Sequence, residues 1–437
     1  QLQATDAAAG DQFGLSTAVN ATGTIVVGSP NEEAAGDTDS GAIYVYDPDG
    51  AGGYTQIKLV ALDKFAGDQF GFSVAINDDG VIVAGSIGND DDGSSSGSAY
   101  VFVPDGAGGF TEYKLTAPDG AAINRFGASV SINNDGVVSV GANRGDGLTT
   151  DSGAVYTFVP NENGDYVAYD NTVYTSVPAD GSASNPVDTD NLVSSKLVAF
   201  DGAGTDFFGY ASTVNDLGVV LVGAHGDDDA GADSGSAYLY TPDGTGGYTE
   251  LKLTASEDAT GDKYGYSVAL NNAGVAVVGA FLDSAGESQN GSVYVYRPDG
   301  NGGYFETQLT ASDLGAADYF GYGVSINESG IIAVGAKQQS SQTGAVYIYT
   351  PDGLGGYLEA KLTASDATGG DQFGSSVNVS DMGLVVVGAP TADDVGLVYV
   401  YAPDGSGGYA EVQLQATDAA AGDQFGLSTA VNATGTI

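Results

Sequence analysis

The sequence predicts an all-β protein, a propeller of seven blades with four antiparallel strands in each. Three observations predict it. A Phe-Gly motif, once Tyr-Gly, starts at Phe13, Phe70, Phe126, Phe208, Tyr264, Phe320, Phe373 and Phe425, at intervals of 57, 56, 82, 56, 56, 53 and 52 residues. Every interval holds four short stretches of strand-like alternation divided by turn residues. No stretch has a helical period. An open spiral of the same blades is the rival architecture.

The repeat that opens at Phe70 shows each element in order. FGFSVAI alternates as a half-buried strand does. NDDG follows as a tight turn, with Gly for the positive φ. VIVAG is apolar almost throughout and reads as a buried strand. NDDDGSSSG is a polar loop, SAYVFV a third strand with aromatics at alternate places, PDGAGG a second tight turn, and FTEYKLTA a fourth strand. Four strands in about 55 residues, repeated seven times, are the signature of propeller blades.

Each Phe-Gly is paired with a later Gly-Ala-Pro-like triplet, as at Gly28-Ser29-Pro30, Gly141-Ala142-Asn143, Gly223-Ala224-His225 and Gly388-Ala389-Pro390. With the phrase KLTASDATGGDQFGSSV at 361–377, this pattern resembles the FG-GAP repeat family in a bacterial-type branch, the propeller repeat also found in integrin α subunits. The resemblance covers nearly the whole chain. It implies a seven-bladed propeller, extracellular, in adhesion or surface proteins; it names no ligand. The glycines have a physical reason, since blades converging on an axis need close backbone approach. The ring of each Phe-Gly is expected to bury itself against the next blade, contributing roughly 1.5–3 kcal/mol.

Composition excludes several functions. The chain has 57 acidic and 11 basic residues, a net charge of −46, and no Cys. Such a surface repels phosphate backbones and anionic membrane leaflets, which excludes nucleic acid and membrane insertion as partners. Without Cys there is no thiolate metal site and no thiol nucleophile. With His225 as the one histidine, a nucleophile–His–Asp set is not available. A carboxylate-only glycosidase stays open, because two acids suffice. The acids recur blade by blade, however, whereas catalysis needs one local departure from symmetry. The chain is therefore read as no enzyme.

The meander places its tight turns on one face and its longer, acidic loops on the other. Asp90, Asp91 and Asp92, and Asp227, Asp228, Asp229 and Asp233, lie in loops between second and third strands. Between blades a carboxylate pair recurs, as in Asp63/Asp68 and Asp366/Asp371. Oxygen ligands in Gly-rich loops suit Ca²⁺, and these acids are the calcium candidates. The competing reading is turn capping by side chain to backbone N–H. The integrin-type calcium loop, which resembles Asp-x-Asp-x-Asp-Gly, has no counterpart: its place is taken by NATG, NDDG, NNDG, NDLG, NNAG, NESG and SDMG, too short to wrap an ion. Five of the cations, Lys58, Lys114, Lys196, Lys252 and Lys361, stand in a Lys-Leu pair of strand four. There they are expected to guard an exposed edge and to pair with neighbouring acids. Arg144-Gly145-Asp146 is a weak three-letter match to an integrin-recognition triplet.

Two features break the sevenfold pattern. An insertion lies within 160–195 and carries Tyr166, Tyr169 and Tyr174, read as an extra hairpin able to make a unique contact. Residues 413–437 repeat residues 1–25 letter for letter. The chain thus divides into a unit of 412 residues and a duplicate, which is the start of a next unit or a strand segment passed between subunits. A closed seven-bladed ring is expected to have no slot for the second copy, so Gln413, Leu414, Phe425 and Gly426 are predicted to meet another unit. The functional expectation is a non-enzymatic extracellular structural or adhesive protein, a building block of a surface filament or giant tandem-repeat protein, whose partners are copies of itself. The alternative is a secreted adhesin with a site for a surface glycan or protein ligand on the long-loop face.

Overall fold

A computed structural model describes all residues except 1, 7, 9, 34–35, 167–193, 258, 285–288, 314, 418–419 and 421. It contains seven sheets of four strands, each in simple sequence order. The blades span 17–59, 70–115, 126–197, 211–253, 264–309, 320–362 and 376–414. Every neighbouring pair within a blade is antiparallel, as in the second, where Phe70–Ile76, Ile82–Ser86, Ser98–Pro104 and Phe110–Leu115 pair in succession. Outside the strands the described residues form one four-residue helical turn, Gln339–Gln342, and one 3₁₀ turn, Ala392–Asp394.

The second strand of each blade is buried along its whole length. This is why it reads as a continuous apolar run rather than an alternation. The core lies between blades. One cluster joins Val26, Ile43 and Val45 of the first blade to Phe70, Ile82 and Tyr100 of the second. Phe70 is fully buried and meets Tyr100 edge-on at 5.3 Å. Its backbone bridges to Gly41 of the preceding blade. The Phe-Gly ring therefore wedges between its own third strand and the blade before it, rather than the blade after it.

The tight turns between first and second strands have a role beyond turning. Each opening Asn is buried and its Oδ1 accepts from the backbone N–H four residues on, as Asn77 does from Val81 at 2.9 Å. Its Nδ2 donates to the same carbonyl one blade further round: Asn20 to Asn77, Asn77 to Asn133, Asn133 to Asn215, Asn215 to Asn271, Asn271 to Asn327, and Asn327 to Ser380, at 2.8–3.2 Å. These asparagines stitch the blades around the axis. Their side chains are committed, and the turns do not fit a calcium cage.

Residues 425–437 find a place in the ring after all. Ser376 Oγ of blade seven donates to the Gly426 carbonyl at 2.9 Å, as Ser73 does to Gly127 across the second and third blades. On its other side Ser428 Oγ donates to the Gly14 carbonyl at 2.8 Å, and Asn432 Nδ2 to the Asn20 carbonyl at 2.9 Å. The segment forms no strand of its own but sits at the seam where an inner strand would, taking side-chain hydrogen bonds from blade seven and giving them to blade one. The expectation that the ring has no room for it fails, because 425–437 is hydrogen-bonded to blade seven on one side and to blade one on the other.

Candidate functional site

The long-loop face is built around one recurring cluster. In the third strand a Tyr stands opposite the fourth-strand Lys: Tyr44 and Lys58, Tyr100 and Lys114, Tyr156 and Lys196, Tyr238 and Lys252, Tyr347 and Lys361. The first acid of each inter-blade pair closes the triangle. Asp313 accepts from Tyr347 Oη at 2.7 Å and from Lys361 Nζ at 2.6 Å. Asp6, Asp63, Asp119 and Asp201 repeat the arrangement. Each ammonium also lies 5.1–5.7 Å from its Tyr ring centroid. The lysines are thus ion-paired braces between a blade and the loop entering it. The side chains of Lys114 and Lys252 are only 10% and 11% exposed, which leaves them little part in guarding an open edge.

The second acid of each pair caps a turn. Asp371 Oδ2 accepts from the Thr368 N–H at 2.6 Å, and Asp68 and Asp206 do the same for Phe65 and Ala203. Asp366 accepts from Tyr399 Oη and from Gln413 Nε2, at 2.8 and 2.9 Å. Gln413 stands where five blades have Lys, and Gln308 does so in blade five.

The loop acids divide between bracing and capping. Asp90 Oδ1 takes the Ser95 N–H at 2.6 Å, Asp91 pairs with Lys114, and the Asp92 N–H donates to Ser96 Oγ. Asp228 Oδ1 takes the Asp233 N–H at 2.7 Å, and Asp233 pairs with Lys263 at 2.7 Å. Asp201, Asp227 and Asp229 converge, with one carboxylate oxygen from each within 4.8 Å of the others. Among the described residues this is the one such group, and a cation already fills it. Lys252 Nζ lies 2.7, 3.1 and 2.5 Å from the three carboxylates. Burial pushes the Asp201 carboxyl up, but hydrogen bonds from Lys252 and Tyr238 outweigh it and hold its pKa below the ordinary carboxylate value.

Not every acid is held charged. Burial pushes Glu112 up to about 7, against the lowering effect of the Leu62 N–H it accepts. A carboxyl whose folded pKa exceeds its unfolded one stabilises the fold below the unfolded value and loses that contribution as pH rises through the folded one. Urea unfolding should therefore show Glu112→Gln more stable than the parent by about 2–3 kcal/mol at pH 8, with the gap falling to under about 1 kcal/mol by pH 5. A gap independent of pH would refute the assignment.

The other predicted residues fall in different surroundings. Tyr166 faces the core: it is 2% exposed, lies 6.1 Å from Tyr113 and donates to the Gly136 carbonyl, so it is not a surface contact. Tyr169 and Tyr174 lie outside the described residues. Phe425 is 37% exposed, whereas Phe70, Phe126 and Phe373 are fully buried, because no second and third strands of its own cover it. Gly426 packs against the Leu397 carbonyl, and Leu414 is 38% exposed on a fourth strand. Arg144 lies 6.0 Å from the Phe207 ring, and Asp146 Oδ1 accepts from the Asp151 N–H within its own loop.

Sequence reasoning missed the side chains around the axis, of which Tyr210, Tyr266 and Tyr322 form a chain of hydroxyls at 3.3–3.4 Å. Their signal was present: they follow Phe-Gly or Tyr-Gly directly, where blade two carries Phe72 and the other three carry Leu15, Ala128 and Ser375.

No helix among the described residues is long and apolar enough to cross a membrane. The chain is 33% identical to integrin alpha-4 of Xenopus laevis over 145 residues, covering 29% of this chain and 13% of that protein. It thus spans well under two thirds of the relative's length. The FG-GAP repeat profile matches residues 1–46, 54–102, 110–158, 193–240, 249–296, 305–349 and 358–401. From the second match on, each takes the fourth strand of one blade with the first three of the next, so the sequence repeat interlocks neighbouring blades. Seven such matches over most of its length, folded as seven four-stranded blades, make this chain a member of the FG-GAP repeat family.

Proposed function

We propose that this chain is a non-enzymatic extracellular structural and adhesive protein whose propeller units associate with one another in a surface filament or tandem array. The observation that carries this reading is the seating of 425–437. That segment has the sequence of 13–25 and makes an inner strand's contacts with a blade on either side. Identical segments in two units are interchangeable in such a seam. A strand passed from one unit to the next would be held by a row of backbone and side-chain hydrogen bonds. The half-exposed Phe13 and Phe425 mark the flank such an exchange would cover. Carboxylates that brace or cap in blade after blade favour a scaffold over a glycosidase. With its lysines in place, the acidic face needs no calcium in this reading.

Light scattering tests it. The chain should form concentration-dependent oligomers, visible by electron microscopy as strings of propellers, and a variant lacking 413–437 should remain monomeric. Dispersed monomers of the intact chain at every concentration would remove the reading. The departures from repeat symmetry at the axis favour a second, compatible reading: a ligand-binding adhesin that uses the long-loop face.

A further inference from the structure

Two side-chain positions per blade crown the axis on the long-loop face beside the residue that follows each Phe-Gly: the residue before it, and the third residue of the Gly-Ala-Pro-like triplet. The fold fixes the glycines between them but not these side chains. The residue before the motif is Gln12, Gln69 and Gln372 in blades one, two and seven, and Arg125, Phe207, Lys263 and Tyr319 in blades three to six. In all seven it holds a positive φ of 54–60°. For bulky residues that conformation is strained, and it persists only where the surroundings impose it. The same strained position therefore presents plain amides on one side of the axis and rings and cations on the other.

Those rings form a continuous arc. Phe207 stacks on His225 at 5.3 Å, and Tyr210 meets His225 at 4.5 Å. Tyr266 follows Tyr210 at 5.2 Å, and Tyr322 follows Tyr266 at 5.3 Å, with tilts of 37° and 41° between successive planes. A cation closes each end: the Arg144 guanidinium 6.0 Å from Phe207, and Lys337 Nζ 3.3 Å from the Tyr322 centroid. Beside the arc is a cavity of about 290 Å³ lined by Tyr210, Arg125, Phe72 and Asn143. The buried Asn143 Oδ1 has no hydrogen-bond partner there.

The charge distribution is as uneven as the rings. Five of the 11 cations brace strand four. Of the other six, Arg125, Arg144, Lys263 and Lys337 all gather at this mouth. Lys263 is paired with Asp233, while Arg125, Arg144 and Lys337 have no carboxylate within ion-pair distance among the described residues. In a chain of net charge −46 this is a local concentration of cations, set beside the buried Asp206, Asp262 and Asp318 that precede Phe207, Lys263 and Tyr319.

We propose that the axial mouth over blades three to six binds an anionic sugar chain. The exposed Tyr210 and the neighbouring Tyr266, in the middle of the arc, supply the platform for pyranose faces, and Arg125 and Lys337 supply charge-assisted hydrogen bonds to carboxylate or sulfate groups. A cationic ligand fits less well, because the protein's own cations already cover the rings at both ends. A nucleic acid meets the same repulsive surface that excludes it elsewhere.

The inference names a ligand for the adhesive reading and rests on it. Titration calorimetry of the full chain in 0.15 M salt, on the order of physiological ionic strength, would use a galacturonate hexamer, a sulfated hexasaccharide and neutral maltohexaose. At least one anionic probe should bind at least about tenfold more tightly than the neutral one, and which one binds tells carboxylate from sulfate. Arg125→Gln with Lys337→Gln should weaken that binding by at least about tenfold with an unchanged thermal midpoint. Tyr266→Leu should weaken it with both charges intact. Neutral and anionic sugars binding alike, neither anionic probe binding, or Arg125→Gln/Lys337→Gln binding as the parent does would each overturn the proposal. Since self-association is read by light scattering, loss of sugar binding with oligomers intact removes this inference alone.

Discussion

Gly279→Ala is expected to lower the stability of the propeller by about 3 kcal/mol or more, one of the largest effects of any single methyl group in the chain. Gly279 is the penultimate residue of the second strand of blade five, Ala276–Ala280. A Cβ there would lie under 3.0 Å from the Gly321 carbonyl oxygen of blade six and from Ser267 Oγ. Those two atoms are bonded to each other at 2.9 Å, so the methyl would land on a hydrogen bond that joins two blades. Gly321 has no room to retreat, since its own Cβ position faces the Ser292 carbonyl. The added group must either separate the blades or twist the strand, and both expose buried backbone. Urea unfolding of the two proteins measures the loss. Gly323→Ser is the matched control: a Cβ there would make only ordinary van der Waals contacts, with its nearest neighbours at 3.6 Å, and serine occupies the same place in five of the other blades. It should be neutral or stabilise by about 0.5–1 kcal/mol, through the hydroxyl-to-carbonyl bond that Ser73 and Ser267 make. Equal midpoints for Gly279→Ala and the parent would mean the blade contact yields.

The glycine at 279 and the blade count were legible in the sequence for the same reason. A repeat leaves unchanged what every copy needs, and period and strand alternation are local properties. What the sequence left dark depends on partners a whole repeat away. Asn77 reads as a turn residue; that its amide bonds the Asn133 carbonyl 56 residues on follows only from the ring. The fourth-strand lysines read as edge guards because the strand is an edge. The acid that meets each one comes from the connection entering the blade, 48–77 residues earlier in the chain. The axial tyrosines were hidden by the opposite circumstance. They sit beside the strongest motif in the repeat, and its constancy draws attention from the neighbours that vary.

Lys252→Met should be a second large effect, and it separates a brace from a vacant metal site. Its ammonium neutralises Asp201, Asp227 and Asp229, and Asp227 is 2% exposed. Removing one member of a buried ion pair while leaving the other costs about 3–5 kcal/mol, because the remaining charge is desolvated without compensation. Partial exposure of Asp229 and Asp201 lets water relieve part of this, so about 3 kcal/mol is expected at pH 7. The pH dependence follows from the sign of the Asp201 shift. Its folded pKa lies below the unfolded value. Its contribution is therefore present above the unfolded carboxylate range and is lost as pH falls through the folded pKa. The penalty of Lys252→Met should therefore shrink as pH falls below about 4, the ordinary Asp range, and through the lower folded pKa of Asp201. In the variant the three oxygens keep their mutual reach with no cation between them, which is the donor set a hard divalent ion takes. Millimolar Ca²⁺ should then raise the thermal midpoint of Lys252→Met while leaving the parent unchanged, because only the variant has a vacancy. If Ca²⁺ moves both midpoints equally, the ammonium is not the occupant of that site. In blades five and seven Gln308 and Gln413 replace the lysine. Gln308 bonds Tyr294 Oη and Ser292 Oγ, and Gln413 bonds the carboxylate of Asp366, so in these two blades an amide takes the place of the ammonium by hydrogen bonding alone, at positions where three acids do not converge.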